Sequence, residues 1–149
     1  MITENLSNNK YVSIFDVDVN SDFMTLPKAF INISYYREMS VDSKFIYIIL
    51  LDRAKLSFRN DWFDNEGRIY FNFKNDDLRF ITNIPSKQRL IKAKKELMDK
   101  NLLEQKRYGQ GKPNRLYILY PLTELELRQL ESTRELGEGI NGEEELLYN

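Results

Sequence analysis

The 149-residue sequence predicts an α+β fold the size of one domain, and three observations predict it. A long apolar segment, SVDSKFIYIILLDRAKLSF (40–58), has the length and composition of a central helix. Two shorter helical segments, 76–82 and 86–100, flank the break Ile84-Pro85-Ser86. Three segments with strand character, 68–73, 102–108 and 115–121, complete the count, the last two joined by the glycine-rich loop GQGKPN.

Taken in order, the first nine residues are polar. YVSIF (11–15) and FMTLPKAFINI (23–33) are short apolar runs rich in β-branched and aromatic residues, and Pro27 argues against a central strand there. They read as an extended N-terminal arm. Its aromatics Tyr11, Phe15, Phe23 and Phe30 need burial, over the core or against a second subunit.

Ser40 is a good N-cap for the long helix, and Asp42 sits in its first turn, where the helix dipole favours an acid. Phe45, Ile46, Ile48, Ile49, Leu50 and Leu51 leave little polar face, which places this helix in the middle of the domain. RNDWFDNEG (59–67) is a turn-rich loop. RIYFNF (68–73) alternates Ile69, Phe71 and Phe73 on one face, the strand pattern. Asn75 is positioned to cap the helix over 76–82, which has two acids in its first turn.

In the segment 86–100, a helical period puts Leu90, Ala93, Leu97, Met98 and Asn101 on one face. Gln88, Lys92, Lys95 and Asp99 fall on the opposite face, with Arg89 on its flank. Lys94 lands on the inward stripe, so it either runs its stem along the core edge or marks a helix rotated from this estimate. Lys112 stands on the loop between the two last strands.

Helix, strand, helix, turn, helix, strand, basic loop, strand is the order of a winged helix-turn-helix. In that plan the helix over 86–100 fits a major groove about 12 Å wide, and the basic loop, the wing, lies on the flanking backbone.

Charge supports the same surface. The net charge is only −1, but residues 85–117 hold ten basic residues against Glu96, Asp99 and Glu104. Residues 123–149 hold eight acids against Arg128 and Arg134. A basic block on a helix and its neighbouring loop is the electrostatic footprint of a nucleic-acid site. Candidate DNA-binding residues are Ser86, Lys87, Gln88, Arg89, Lys92 and Lys95 on the helix, and Lys106, Lys112, Asn114 and Arg115 on the wing. Gln88 and Arg89 carry the donors for bidentate contacts to adenine or guanine.

Other chemistry is poorly supplied. The chain has no cysteine and no histidine, which removes disulfides, thiolate zinc sites and His-based triads and agrees with a reducing cytoplasm. No run of 18 apolar residues occurs, so no membrane-spanning helix is expected. The N-terminus lacks the basic start and apolar core of a secretory signal. GQGKPN lacks the GxxxxGK[ST] spacing of a phosphate loop. Asp61, Asp64 and Glu66 lie in a loop whose acids serve turns. Neither metal nor cofactor is expected, and no catalytic residue.

The tail LTELELRQLESTREL (122–136) reads as a helix with Leu122, Leu125, Leu127 and Leu130 among charges. GEGINGEEELLYN (137–149) reads as an acidic linker. The expected division is therefore an arm over 1–22, a winged-helix domain over 23–122, and a helix with its linker-like tail over 123–149.

FMTLPKAFI, MSVDSKFIYIILLDRAKLS, NDWFDNEGRIYF and GQGKPNRLYIL together resemble the N-terminal domain of the RepA_N family of plasmid replication initiators. The run S-x-x-x-K-x-x-Y-x-x-L-L-D-R-x-x-L-S, beginning at Ser40, is the most specific part, and the resemblance spans roughly residues 23–120. It implies a winged-helix domain that binds repeated double-stranded sites (iterons) in a replication origin as a homodimer. It also implies a separate C-terminal domain that engages host replication proteins. A winged-helix transcriptional repressor would share the DNA surface, and a protein-interaction winged helix would turn the basic helix toward an acidic partner.

Overall fold

The computed structural model describes Tyr11 and residues 23–148, with the side chains of the last helix described to Gly137. The elements run α1 (Ala29–Asn32), α2 (Ser34–Arg37), α3 (Val41–Arg59), α4 (Asn75–Thr82), α5 (Lys87–Asp99), β1 (Leu103–Lys106), β2 (Arg115–Ile118) and α6 (Glu124–Tyr148).

Ser40 caps α3 as its sequence demands: its Oγ accepts the Ser43 N–H at 3.2 Å. Ile46, Tyr47 and Leu50 of α3 are fully buried and meet α5, α4 and β2. The helix is not buried all round, however, because Phe45 and Phe58 stay exposed. Leu90 and Leu97 on α5 and Leu78 on α4 close the core from the other side. Each such leucine contributes about 1.5–3 kcal/mol by leaving water.

The arm differs from its expected form. From Ala29 the chain is helical, not extended: the Phe30 N–H binds the Pro27 carbonyl at 3.0 Å and Phe30 is drawn into the core. The Phe30 ring meets the Tyr47 ring edge-on at 4.8 Å. The Tyr36 hydroxyl accepts the Leu122 N–H at 2.8 Å, tying α2 to the segment after β2. Phe30 and Tyr36 thus cover the core, while Phe23 and Tyr11 are exposed. The rest of the 11–15 run lies outside the described residues.

β1 and β2 pair antiparallel with Leu103 opposite Ile118 and Lys106 opposite Arg115. They are shorter than the sequence pattern suggested. The expected strand over 68–73 is reduced to two bridges, Phe63 with Ile69 and Phe71 with Leu116. Phe71 and Leu116 nonetheless exchange both backbone hydrogen bonds, at 3.1 and 2.8 Å, so this segment supplies the third edge of the wing.

α6 opens on a capping box, with Thr123 Oγ1 accepting the Glu126 N–H at 3.2 Å and Glu126 Oε1 accepting from the Thr123 backbone. Leu127 packs on the core, but Leu125, Leu130 and Leu136 are exposed. The helix runs on through Gly137, Gly139 and Gly142 to Tyr148, where the sequence reads as a linker. Among the described residues no helix is long and apolar enough to cross a membrane.

Candidate nucleic-acid interface

The turn between α4 and α5 is rigidly specified. Asn83 adopts the left-handed conformation (φ 56°), which asparagine tolerates better than most residues. The Ile84 N–H then returns to the Arg79 carbonyl at 3.2 Å. The Arg79 guanidinium donates to the Pro85 carbonyl at 2.6 Å across the same turn. Ser86 caps α5 by accepting the Arg89 N–H at 3.3 Å, so its hydroxyl serves the helix first.

α5 is seated on α3 by a half-buried polar clasp. Glu96 Oε1 accepts from the Ser40 N–H at 2.7 Å, the Ser40 hydroxyl at 3.0 Å and the Ser43 hydroxyl at 2.6 Å. Burial pushes the Glu96 carboxyl up, but the bonds from Ser43 and Ser40, helped by Lys100, outweigh it and hold the group below the ordinary carboxylate range. The clasp fixes which face of α5 turns outward. Leu90, Ala93 and Leu97 are buried; Lys87, Gln88, Arg89, Ile91, Lys92 and Lys95 are exposed.

Two of the basic residues on α5 are already engaged. Lys94 is buried, and its ammonium donates to Asn75 Oδ1 at 2.9 Å. Its place on the inward stripe is therefore real, and desolvation lowers its pKa. Asn75 consequently does not cap α4: it is the first helical residue, and its side chain is spent on Lys94. Arg89 Nε and Nη2 bind Asp42 Oδ2 and Oδ1 at 3.1 and 2.9 Å. That hydrogen-bonded pair raises the Arg89 pKa, and it points the guanidinium across to α3.

Ile91 escaped the sequence reading. It is 48% exposed on the flank of the outward face, between Gln88 and Lys95. An exposed isoleucine beside lysines offers apolar surface of the kind that can pack against a thymine methyl group in a major groove. Its offset of three from Gln88 was the available signal.

The wing places its candidates differently. Lys112 is exposed in the loop after β1, with its N–H on the Gly109 carbonyl at 3.3 Å. Gly109 and Gly111 have φ of 108° and 78°, conformations that side chains resist, so the loop shape depends on them. Lys106 and Arg115 face each other across the strands. Their repulsion is relieved by aromatic rings: Lys106 lies over Tyr117 at 5.1 Å, and Arg115 lies between Tyr70 at 4.1 Å and Tyr108 at 4.3 Å. Asn114 is half-buried beside Arg115. Asp64, considered for metal binding, instead accepts the Glu66 and Arg68 N–H groups, both at 2.9 Å, and shapes the turn.

The helix α5 and the wing loop each present exposed lysines, the two basic elements of a winged helix-turn-helix. Comparison with known proteins agrees. Residues 22–132 match the family model described as "Replication initiator protein A (RepA) N-terminus". A "41 kDa protein" of Lactobacillus helveticus is 32% identical over 106 residues, 66% of this chain and 30% of that protein. The chain thus spans under a third of that relative's length. A solved structure described as "N-Terminal domain of DNA binding protein" has 38% identity and a TM-score of 0.64, covering 85% of this chain and 95% of its own. One described as "Structure of Rep-DNA complex" has 36% identity and a TM-score of 0.63, covering 84% and 95%. A third, "Structure of MDR initiator", has 36% identity and a TM-score of 0.61, covering 84% and 98%. The chain belongs to the RepA_N family, and residues 22–132 are its replication-initiator N-terminal domain.

Proposed function

We propose that this domain is the origin-binding part of a plasmid replication initiator, acting in the cytoplasm by binding and not by catalysis. It recognises repeated double-stranded DNA sites as a homodimer. α5 enters the major groove, with Gln88 and Ile91 toward base edges and Lys87, Lys92 and Lys95 toward phosphates. Lys106, Lys112, Asn114 and Arg115 lie along the flanking backbone. The observation that carries this reading is the outward face of α5, donor-rich and clasped in place by Glu96. The similarity to a Rep–DNA complex supports it. Contact with host replication proteins is assigned to further sequence of the kind its longer relative has.

One recognition helix reads only a few base pairs, so two protomers are needed for useful specificity. Half-sites one helical turn apart, roughly 10–10.5 bp centre to centre, suit a symmetric pair. Duplexes selected from a random pool should show two such half-sites, and light scattering of the complex should give two chains per duplex. An isolated half-site that binds as tightly as the full site refutes the dimer. A selected sequence absent from any replication origin would favour a repressor instead.

A further inference from the structure

Behind the wing lies an open cleft of about 410 Å³, lined by Trp62, Tyr70, Tyr108, Lys112, Pro113 and Arg115 among others. That volume lies within the usual range for small-molecule sites, roughly 300–1,000 Å³. Trp62 is 46% exposed and Tyr108 is 44% exposed. The Trp62 backbone is held: its N–H binds the Ser57 carbonyl at 3.0 Å, and its carbonyl accepts the Tyr70 N–H at 3.2 Å. Asp61, at φ 60°, turns the chain just before it. Arg115 sits between the Tyr70 and Tyr108 rings.

We propose that this cleft binds single-stranded DNA, stacking unpaired bases on Trp62 and Tyr108 and holding the adjoining phosphates on Lys112 and Arg115. The Arg115 stack alone accounts for Tyr70 and Tyr108 as anchors of the wing. It does not account for an exposed tryptophan fixed at the mouth of the same cleft. Exposed aromatic faces interleaved with cations are the recurring platform for single strands, because every base has a π-face to offer. A duplex hides those faces in its stack and offers only edges and phosphates. Asp64 in the same turn accepts two backbone N–H groups and the Tyr117 hydroxyl at 3.2 Å, so its oxygens are engaged within the turn.

The inference rests on the proposed function for the phosphate role of Lys112 and Arg115, and the two fail separately. Trp62 is the sole tryptophan of the chain, so its fluorescence reports on the cleft alone. Titration with a short oligothymidylate should quench it. Base–aromatic stacking predicts that Trp62→Ala and Tyr108→Ala each weaken single-strand affinity roughly 5- to 150-fold. Trp62→Phe, which keeps an aromatic face and guards against a folding defect, should retain most of it. Trp62→Ala should leave affinity for the cognate duplex unchanged.

Absence of quenching at oligothymidylate concentrations where the duplex is bound overturns the proposal. So does a parallel loss of duplex and single-strand affinity in Trp62→Ala, which would make the cleft part of the duplex interface. Single-strand binding that depends on Trp62 in a protein showing no specific duplex binding would instead sink the origin-binding reading and leave the cleft standing.

Discussion

Gln88→Ala and Lys112→Ala separate the reading helix from the wing. Gln88 is exposed on the outward face of α5, and a side-chain amide spanning adenine N6 and N7 is worth about 1–3 kcal/mol against the wrong base. Its loss should therefore relax preference at one base position per half-site by about 5- to 150-fold. Lys112 is exposed on the wing loop. A phosphate contact there adds affinity on every sequence and contributes roughly 0.9 to the slope of log K against log salt. Two wings in a dimer make that about 1.8, lost equally on cognate and scrambled DNA. Both side chains stand in solvent, so neither substitution should move the melting temperature. The assay is fluorescence anisotropy on cognate and scrambled duplexes across a salt series. Were Lys112→Ala to alter base preference while Gln88→Ala left it intact, the wing and not α5 would occupy the reading groove.

Asp42 holds Arg89, so in the proposed reading Asp42→Asn frees it and should raise affinity for cognate and random duplexes alike; Arg89→Ala in that background should abolish the gain, and an unchanged affinity in Asp42→Asn shows that Arg89 faces no DNA. The Glu96 pKa lies lower in the folded chain than in the unfolded one, so its share of stability is full above the unfolded carboxyl pKa, about 4.3, and is lost as pH falls through the folded value. Glu96→Gln should flatten the decline of melting temperature with acid over that window, and an identical decline in both proteins shows that other carboxylates govern acid unfolding.

Local signals were legible in the sequence where one residue type has one local task. Ser40 caps its helix, and the spacing of Leu90, Ala93 and Leu97 places the inner face of α5. Failures occur where a tertiary partner overrides local preference. Phe30 turns an apparently extended arm into helix by entering the core beside Tyr47. Asn75 abandons the cap it suits because Lys94, nineteen residues on, needs a buried acceptor. The cleft behind the wing joins three separate segments, through Trp62, Tyr70 and Tyr108, and no spacing along the chain announces it. In α6 the three glycines each cost about 1 kcal/mol relative to alanine, which is why the sequence resembles a linker there although the helix continues.

The same distinction corrects the electrostatics. Residues 85–117 hold ten basic side chains, and a simple count would turn all of them toward phosphate. Lys94 is spent on Asn75, Arg89 on Asp42 and Lys100 on Glu38. Lys106 and Arg115 lie over tyrosine rings, which positions them without removing their charge. Lys87, Lys92, Lys95, Arg107 and Lys112 are the basic residues of that block for which the described residues provide no ion-pair or ring partner. At roughly 0.9 per phosphate, the six cations proposed to meet DNA, Lys87, Lys92, Lys95, Lys106, Lys112 and Arg115, support a salt slope of about 5.4 per protomer, against about 9 for all ten. Four of the five unpartnered residues are the lysines of the outward face of α5 and the wing tip. Arg89 is held to Asp42, so any use of it on DNA requires that pair to open.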